Sequence, residues 1–214
     1  MVTLPRILHF EPKVIKAKHE GLKKFQDFDA SEIVEAPSND KILGTNWVVT
    51  EKEKDGESFT KARLYVRGDQ EVDKNHIATD SPTVAKYNIR MMLMAAEKEG
   101  WNVRASDVTS AFLQSGGIYR DVSVRPPKES GVEKGKVWRL RKTVYGLLDA
   151  SRGFYLSYSN ALGNLGMEVS RLDPALFLFF DDKSTRMSKE SKLSGIRSTH
   201  VDDSLTIDSW QRLI

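Results

Sequence analysis

The sequence predicts an α+β domain in which helices cover one face of an antiparallel sheet. Residues 83–98 carry apolar side chains near helical spacing and stop at Gly100, and residues 151–165 do the same before Gly166. The segments around these helices have the alternation or the continuous apolar character of strands: 101–113, 118–124, 137–140, 175–180 and 199–207. Helix, strands, helix, strand and hairpin in this order are typical of an α+β layout.

The first third of the chain predicts a hairpin preceded by a less regular region. Residues 1–45 are expected to form a tail, a short helix near residues 16–25 and a loop that contains Pro37. Two β-prone runs, 47–50 and 59–66, follow. They are joined by a charged connector that ends in Asp55-Gly56, a dipeptide that favours a tight hairpin turn.

Length and composition limit the classes of protein to consider. The 214 residues are 39% hydrophobic and 29% charged, which suits one compact domain or two small lobes. No run of about 18 apolar residues predicts a membrane span, and the N-terminus does not predict a signal peptide, so we expect an intracellular location, cytoplasmic or nuclear. The absence of cysteine excludes disulfides and thiolate metal sites. The four histidines lack metal-ligand spacing, so any metal is expected to be a hard cation on oxygen ligands.

The excess of basic over acidic residues lies in the second half of the chain. Residues 120–152 contain nine Lys and Arg against four Asp and Glu, although the whole chain has a net charge of only +3. A basic surface beside an acidic centre suits a polyanion held near bound metal. Lysines that merely solubilise loops are the alternative interpretation.

Three aspartates are the candidate catalytic residues. Asp202 and Asp203 lie between the apolar positions Val201 and Leu205, a pattern that predicts a strand, a tight turn and a return strand. Carboxylates at such a turn repel each other unless a cation lies between them. Asp107 lies in a strand pattern of its own, and an antiparallel sheet could bring it beside Asp202. The pair Asp181-Asp182 serves as an internal comparison, because its context predicts an ordinary surface turn.

A set of short motifs occurs in a defined order along most of the chain. The motifs are Gly44-Thr45-Asn46-Trp47-Val48-Val49, Lys61-Ala62-Arg63-Leu64, Arg67-Gly68, Ser81-Pro82-Thr83-Val84, Asp107-Val108-Thr109-Ser110-Ala111-Phe112-Leu113, Arg125-Pro126-Pro127, Val137-Trp138-Arg139-Leu140, Tyr145-Gly146-Leu147, Ala150 with Arg152, Asp173-Pro174 and Val201-Asp202-Asp203. Together these motifs resemble the reverse transcriptase domain of copia-type LTR retrotransposons, from about residue 18 onward.

The resemblance implies a right-hand polymerase fold and RNA-directed DNA synthesis. It implies an N-terminal extension over 1–39, fingers over 40–100, and a palm over 101–214 with interleaved finger elements. The implied partners are an RNA template, a DNA primer, dNTPs and the remainder of a Pol polyprotein, with its RNase H and integrase. Two Mg²⁺ ions, with Mn²⁺ as an alternative, are the implied cofactors. The sequence stops soon after the Asp202-Asp203 hairpin, so we expect the thumb to be absent and duplex affinity to be lower.

The resemblance also implies a role for each matching side chain. Asp107 and Asp202 would be the main metal ligands, with Asp203 closer to the primer-end metal or partly structural. Phe112 would lie beneath the incoming sugar and reject a 2′-hydroxyl, although a core phenylalanine is an equal alternative from the residues alone. Lys61 and Arg63 would bind the triphosphate, and Tyr145 and Gly146 would line the nucleotide site. His200 and Arg152 would lie on the primer or template side.

Departures from the family pattern keep a second hypothesis open. His200 replaces the usual tyrosine, although an imidazole can still pack or hydrogen-bond near a primer end. The strand that enters the hairpin is polar rather than apolar at Arg197 and Ser198, and Asp149 lies in a segment, 148–151, that does not follow the family. The alternative is a catalytically inactive retrotransposon fragment that at most binds nucleic acid. An RNA-binding module with an aromatic sheet face, or a nuclease, has less support from motifs.

Overall fold

The computed structural model describes residues 2–5, 10–38, 41–72, 74–181 and 192–209. Three α-helices occur in this part of the chain: α1 Pro12–Asp27, α2 Lys86–Glu99 and α3 Ala150–Asn164. The strands are β1 Val2–Thr3, β2 Ser31–Glu35, β3 Thr45–Lys54, β4 Glu57–Val66, β5 Asn102–Asp107, β6 Ser123–Val124, β7 Lys136–Leu140, β8 Glu168–Val169, β9 Leu176–Phe180, β10 Leu193–His200 and β11 Asp203–Asp208. They form antiparallel sheets, in agreement with the predicted α+β class. No described helix is both long and apolar enough to cross a membrane.

The chain divides into two compact units. The first contains Met1–Thr79 and Phe112–Gly153, and the second contains Asp80–Ala111 and Phe154–Ile214. The first four residues of α3 count with the first unit and the rest with the second. The division into fingers and palm remains a prediction.

The first unit holds two three-stranded sheets, ordered β1-β3-β4 and β2-β7-β6. The predicted hairpin forms between β3 and β4, where Asp55 and Gly56 both have positive φ, as a tight turn of this kind requires. Helix α1 starts with Pro12 in its first turn and buries an apolar stripe that includes Leu22 and Phe25. The Phe25 ring stacks on that of Trp138, with centroids 5.7 Å apart.

The second unit is built on a five-stranded antiparallel sheet in the order β5-β11-β10-β9-β8. Helix α2 ends as predicted at Gly100, which has a φ of 65°. Strand β10 begins at Leu193, ahead of the run 199–207 to which the sequence gives strand character, and residues 182–191 lie outside the described residues. The polar strand that enters the hairpin pairs with β9 from Leu193 to Ser198 and with β11 from Gly195 to His200.

The prediction that helices cover a single face of this sheet is wrong. Met92 and Ala96 of α2 pack with Ile207, whereas Leu162 of α3 packs with Phe177. Ile207 lies opposite Ile196 in the sheet, and Phe177 lies opposite Arg197. Because Ile196 and Arg197 are consecutive strand residues, their side chains point to opposite faces. The two helices therefore cover opposite faces of the sheet. The sequence did not predict this arrangement, because β10 has polar and apolar residues on both of its faces.

Candidate active site

The Asp202-Asp203 hairpin forms as predicted, between the end of β10 and the start of β11. His200 and Asp203 are the last paired residues, so Val201 and Asp202 alone form the turn. Val201 has a φ of 57°, a left-handed conformation that a β-branched side chain rarely adopts. Such a conformation costs about 1–3 kcal/mol and persists only where surrounding structure enforces it. Backbone strain is therefore concentrated in the residue next to the aspartates.

Asp107 is brought directly beside this hairpin. It is the last residue of β5 and the register partner of Asp203 at the start of β11. Residues directly opposite each other in an antiparallel pair have their side chains on the same face, with Cβ atoms about 4.5–5.5 Å apart. The backbone N–H of Val108 donates to the carbonyl oxygen of Asp202 at 3.0 Å, which ties the turn to the end of β5. Residues almost a hundred positions apart thus form one cluster.

The cluster suits a hard divalent cation that also binds substrate. Asp107 and Asp203 are both exposed carboxylates, and carboxylate oxygens are the ligands that Mg²⁺ prefers. Within the described residues, no three Asp, Glu or His side chains converge closely enough to hold a metal by themselves. Mg²⁺ is usually bound by one or two carboxylates together with water and substrate phosphates, rather than by a complete protein cage. The residues present therefore fit a cation whose remaining ligands are water molecules and substrate phosphates.

A cavity of about 550 Å³ lies beside the aspartates in the second unit. Asp107, Asp203 and His200 contribute polar walls, and Val84, Ile89, Ala105 and Leu205 contribute apolar ones. His200 is exposed and also forms a bridge with Thr83. A cavity of this size with a few polar groups is typical of small-ligand sites. The predicted primer-side residue, His200, thus lies beside the carboxylates.

Two of the predicted nucleotide-site residues, Phe112 and Tyr145, meet in the first unit. Their ring centroids are 4.6 Å apart in an edge-to-face arrangement. The next residue, Gly146, has a φ of 95°, and a Cβ there would lie 2.0 Å from the Val66 carbonyl oxygen. The Val66 N–H donates to the Tyr145 carbonyl oxygen at 2.7 Å. The turn therefore needs glycine, and it fixes Tyr145 against the end of β4.

The other two predicted nucleotide-site residues share one face of β4. Lys61 and Arg63 are two positions apart on this strand, so they point the same way, and both are partly buried. Ala62 and Leu64, on the other face, are buried in the core with α1. Arg152 lies in the first turn of α3 and is partly buried. The comparison residue Asp181 is exposed just after β9, and Asp182 lies outside the described residues.

Comparison with protein families identifies the family to which the chain belongs. Residues 28–192 match the family described as reverse transcriptase (RNA-dependent DNA polymerase). The chain belongs to this family. The match includes Asp107, Phe112 and Tyr145 and stops before the Asp202-Asp203 hairpin, so the pairing of Asp203 with Asp107 is a separate observation.

This reverse transcriptase domain is similar to parts of plant retrotransposon polyproteins. It is 34% identical over 154 residues, 69% of the chain, to the retrovirus-related Pol polyprotein from transposon RE1 of Arabidopsis thaliana. It is also 34% identical over 148 residues to that from transposon RE2 of the same plant. Similarity to that from transposon TNT 1-94 of Nicotiana tabacum is 28% over 210 residues, 94% of the chain. The chain spans 10–15% of the length of these relatives.

An ion cluster that the sequence did not predict anchors the Tyr145-Gly146 turn of the reverse transcriptase domain. Arg120 donates from Nε and Nη2 to the two carboxylate oxygens of Asp149 at 3.0 and 2.8 Å. Its Nη1 lies 2.5 Å from Oε2 of the buried Glu71. The other Glu71 oxygen accepts from the Leu148 N–H at 3.3 Å. Asp149, a departure from the family pattern, is thus the partner of a nearby arginine. No short-range signal could reveal it, because its partners are distant in sequence.

Proposed function

We propose that this domain catalyses RNA-directed DNA synthesis, transferring nucleotides to a primer 3′-hydroxyl. The observation that carries the proposal is the register pairing of Asp107 with Asp203 beside the Val201-Asp202 turn. Together with the family match, it supports a carboxylate cluster of the kind that nucleotidyl transfer requires. We assign metal ligation to Asp107, Asp202 and Asp203, with Asp107 and Asp202 as the main ligands and Asp203 closer to the primer-end metal.

Reverse transcriptases generally use divalent metals, and the donor oxygens suit Mg²⁺ or Mn²⁺. Two such ions, when bound, would stabilise the attacking 3′-hydroxyl and the leaving pyrophosphate. The aspartates orient this chemistry because one sheet fixes Asp107 and Asp203, and the tight turn fixes Asp202. His200, the register partner of Asp203, is assigned to the primer side.

Nucleotide recognition is assigned to the first-unit residues. Lys61 and Arg63 neutralise the triphosphate, and their common strand face would let both act on one anion. Phe112 rejects a 2′-hydroxyl by steric conflict, and its edge-to-face contact with Tyr145 restricts the ring. Gly146 has no side chain and so allows the backbone to approach the bound nucleotide closely. Arg152 contacts the template side. The RNA template, DNA primer and dNTPs, and the RNase H and integrase of a Pol polyprotein, are the proposed partners. The right-hand arrangement of fingers and palm belongs to the same proposal.

The decisive test is primer extension on a primed RNA template with purified protein, dNTPs and Mg²⁺ or Mn²⁺. We expect extension by the wild type and by Asp181→Asn, a matched change in an exposed aspartate away from the cluster. Asp107→Asn and Asp202→Asn should give none, while circular dichroism shows that all four proteins are folded. Extension that persists in Asp202→Asn would overturn the assignment. Absence of extension by folded wild type would favour the inactive fragment, and RNA binding measured on the same sample would then define its residual function.

A further inference from the structure

Arg197 forms an unusual cluster of hydrogen bonds on the five-stranded sheet. Its Nε donates to the Tyr158 hydroxyl at 2.5 Å, and its Nη1 donates to Thr206 Oγ1 at 3.1 Å. Its Nη2 donates to Ser106 Oγ at 2.9 Å and to Ser204 Oγ at 2.7 Å. One side chain therefore links three strands, β5, β10 and β11, with helix α3.

The two serines are the immediate neighbours of the paired aspartates. Ser106 precedes Asp107 on β5, and Ser204 follows Asp203 on β11. They are register partners, and their Oγ atoms lie 2.8 Å apart. Ser204 is buried, so its position is fixed by the packing of the sheet. A change in the backbone separation of the serines is passed on to Asp107 and Asp203, because each serine is the chain neighbour of one aspartate.

All four hydrogen-bond acceptors of the guanidinium are hydroxyl oxygens, and none is a carboxylate. The planar guanidinium can direct several fixed donors at once, which the compact ammonium of lysine cannot reproduce. The cluster lies on the sheet face opposite Asp107 and Asp203, since successive strand residues point to opposite faces and each serine is next to one of these aspartates. Arg197 therefore does not contact the reacting groups, and any effect on them must pass through the serines.

We propose that Arg197 is a positioning residue for the metal site, which fixes the spacing of Asp107 and Asp203 by holding Ser106 and Ser204 together from the reverse face. The proposal rests on the assignment of these aspartates as metal ligands. Groups that orient metal ligands typically change metal affinity by about 10–100-fold when they are removed.

Arg104 provides a matched control. It lies on β5, two residues from Ser106 and on the same sheet face, and its guanidinium forms an ion pair with the fully buried Asp208. It too links β5 to β11, but at the end of the sheet away from the aspartates, where Asp208 lies opposite Asn102. Arg197→Lys and Arg104→Lys each retain the charge and remove a guanidinium. The two variants therefore differ mainly in where the strands are held.

The test is direct titration of the full chain with Mn²⁺, followed by electron paramagnetic resonance, with thermal unfolding of each variant in parallel. We expect Arg197→Lys to weaken Mn²⁺ binding by about tenfold or more, and Arg104→Lys to leave it within about twofold. Asp107→Asn should abolish the same binding event. Arg197→Met should also weaken binding, because lost positioning outweighs the removal of a repelling positive charge.

Three results would overturn the proposal. The first is unchanged or tighter Mn²⁺ binding in Arg197→Lys, and the second is tighter binding in Arg197→Met. The third is that Arg104→Lys weakens Mn²⁺ binding as much as Arg197→Lys does, at the same loss of thermal stability. The Mn²⁺ titration separates this inference from the proposed function. If the wild type binds Mn²⁺ in an Arg197-dependent way but does not extend primers, polymerisation fails and the positioning role stands. If primers are extended while Arg197→Lys binds Mn²⁺ normally, polymerisation stands and the positioning role fails.

Discussion

Gly68 and Gly146 meet through their backbones, with no room for a side chain between them. A Cβ added to Gly68 would lie 2.2 Å from the Gly146 carbonyl oxygen. Gly146 in turn lies against Val66, whose carbonyl oxygen would be 2.0 Å from an added Cβ. Two motifs that are far apart in sequence, Arg67-Gly68 and Tyr145-Gly146, are thus interlocked at the end of β4.

We expect Gly146→Ala to lower the free energy of unfolding by at least about 2 kcal/mol, because it adds both a steric clash and a disfavoured positive φ. Urea denaturation would measure this change. Gly163 in α3 has open space around it, so Gly163→Ala should raise the same free energy by about 0.5–1 kcal/mol. Similar losses in the two variants would show that the close backbone contact is not the cause.

The strained turn residue predicts a gain in stability. Val201→Gly should raise the free energy of unfolding by about 1 kcal/mol, because glycine tolerates the φ of 57° that valine does not. Val201→Ala retains a Cβ and should change it by less than about 0.5 kcal/mol. Urea denaturation of the three proteins would test this, and a loss of stability in Val201→Gly would contradict the strain. If the strain serves to present the aspartates, primer extension by Val201→Gly should slow.

The buried ion cluster around Arg120 predicts a large loss of stability when this arginine is replaced by a neutral residue. Arg120→Met should lower the free energy of unfolding by roughly 3 kcal/mol, because it leaves the carboxylate of Glu71, only 4% exposed, without its cation. Lys13→Met, at a solvent-exposed pair with Glu51, should cost far less, because water screens an exposed ion pair. The double variant Arg120→Met with Glu71→Gln should recover part of the loss. An Arg120→Met variant as stable as Lys13→Met would contradict this account.

A third ion pair predicts a pH dependence of stability. Burial alone would raise the pKa of Glu129, but hydrogen bonds from Lys18 and Trp47 lower that pKa below its usual value. A carboxylate with a lowered folded-state pKa stabilises the fold above its unfolded pKa and loses that contribution as the pH falls through the folded value. The free energy of unfolding should therefore fall less steeply between about pH 5 and pH 3 in Glu129→Gln than in wild type. Parallel pH profiles of the two proteins would contradict the assignment.

Local patterns predicted the local structure well. The Asp55-Gly56 turn, the end of α2 at Gly100 and the Asp202-Asp203 hairpin follow from short-range chemistry, and all three form. Family membership was also accessible, because ordered motifs survive where single residues vary. The pairing of β2 with β7 was missed, because it joins residues about a hundred positions apart and neither strand signals its partner.

The residue types of the candidate site could be predicted from the sequence, but the contacts between these residues could not. Asp107 was expected near Asp202, and the structure makes Asp203 its register partner, a detail that depends on a single-residue choice of register. The sequence marks Arg197 only as a departure from an apolar strand, whereas in the structure its side chain donates to four hydroxyl groups on other elements. Such networks depend on which faces meet, and the mixed character of β10 left those faces undetermined.

Asp107 lies on an edge strand, since β5 has β11 as its only neighbour among the described strands of that sheet. Edge strands open locally at lower free energy than central ones, and their amides exchange with solvent sooner. Opening β5 would carry one carboxylate away while the other two stayed on the hairpin. A cation bound across both strands would oppose that fraying, so its binding energy should appear as slower hydrogen exchange along residues 102–107. In this protein, a bound metal would stabilise the edge strand that supplies one of its own ligands.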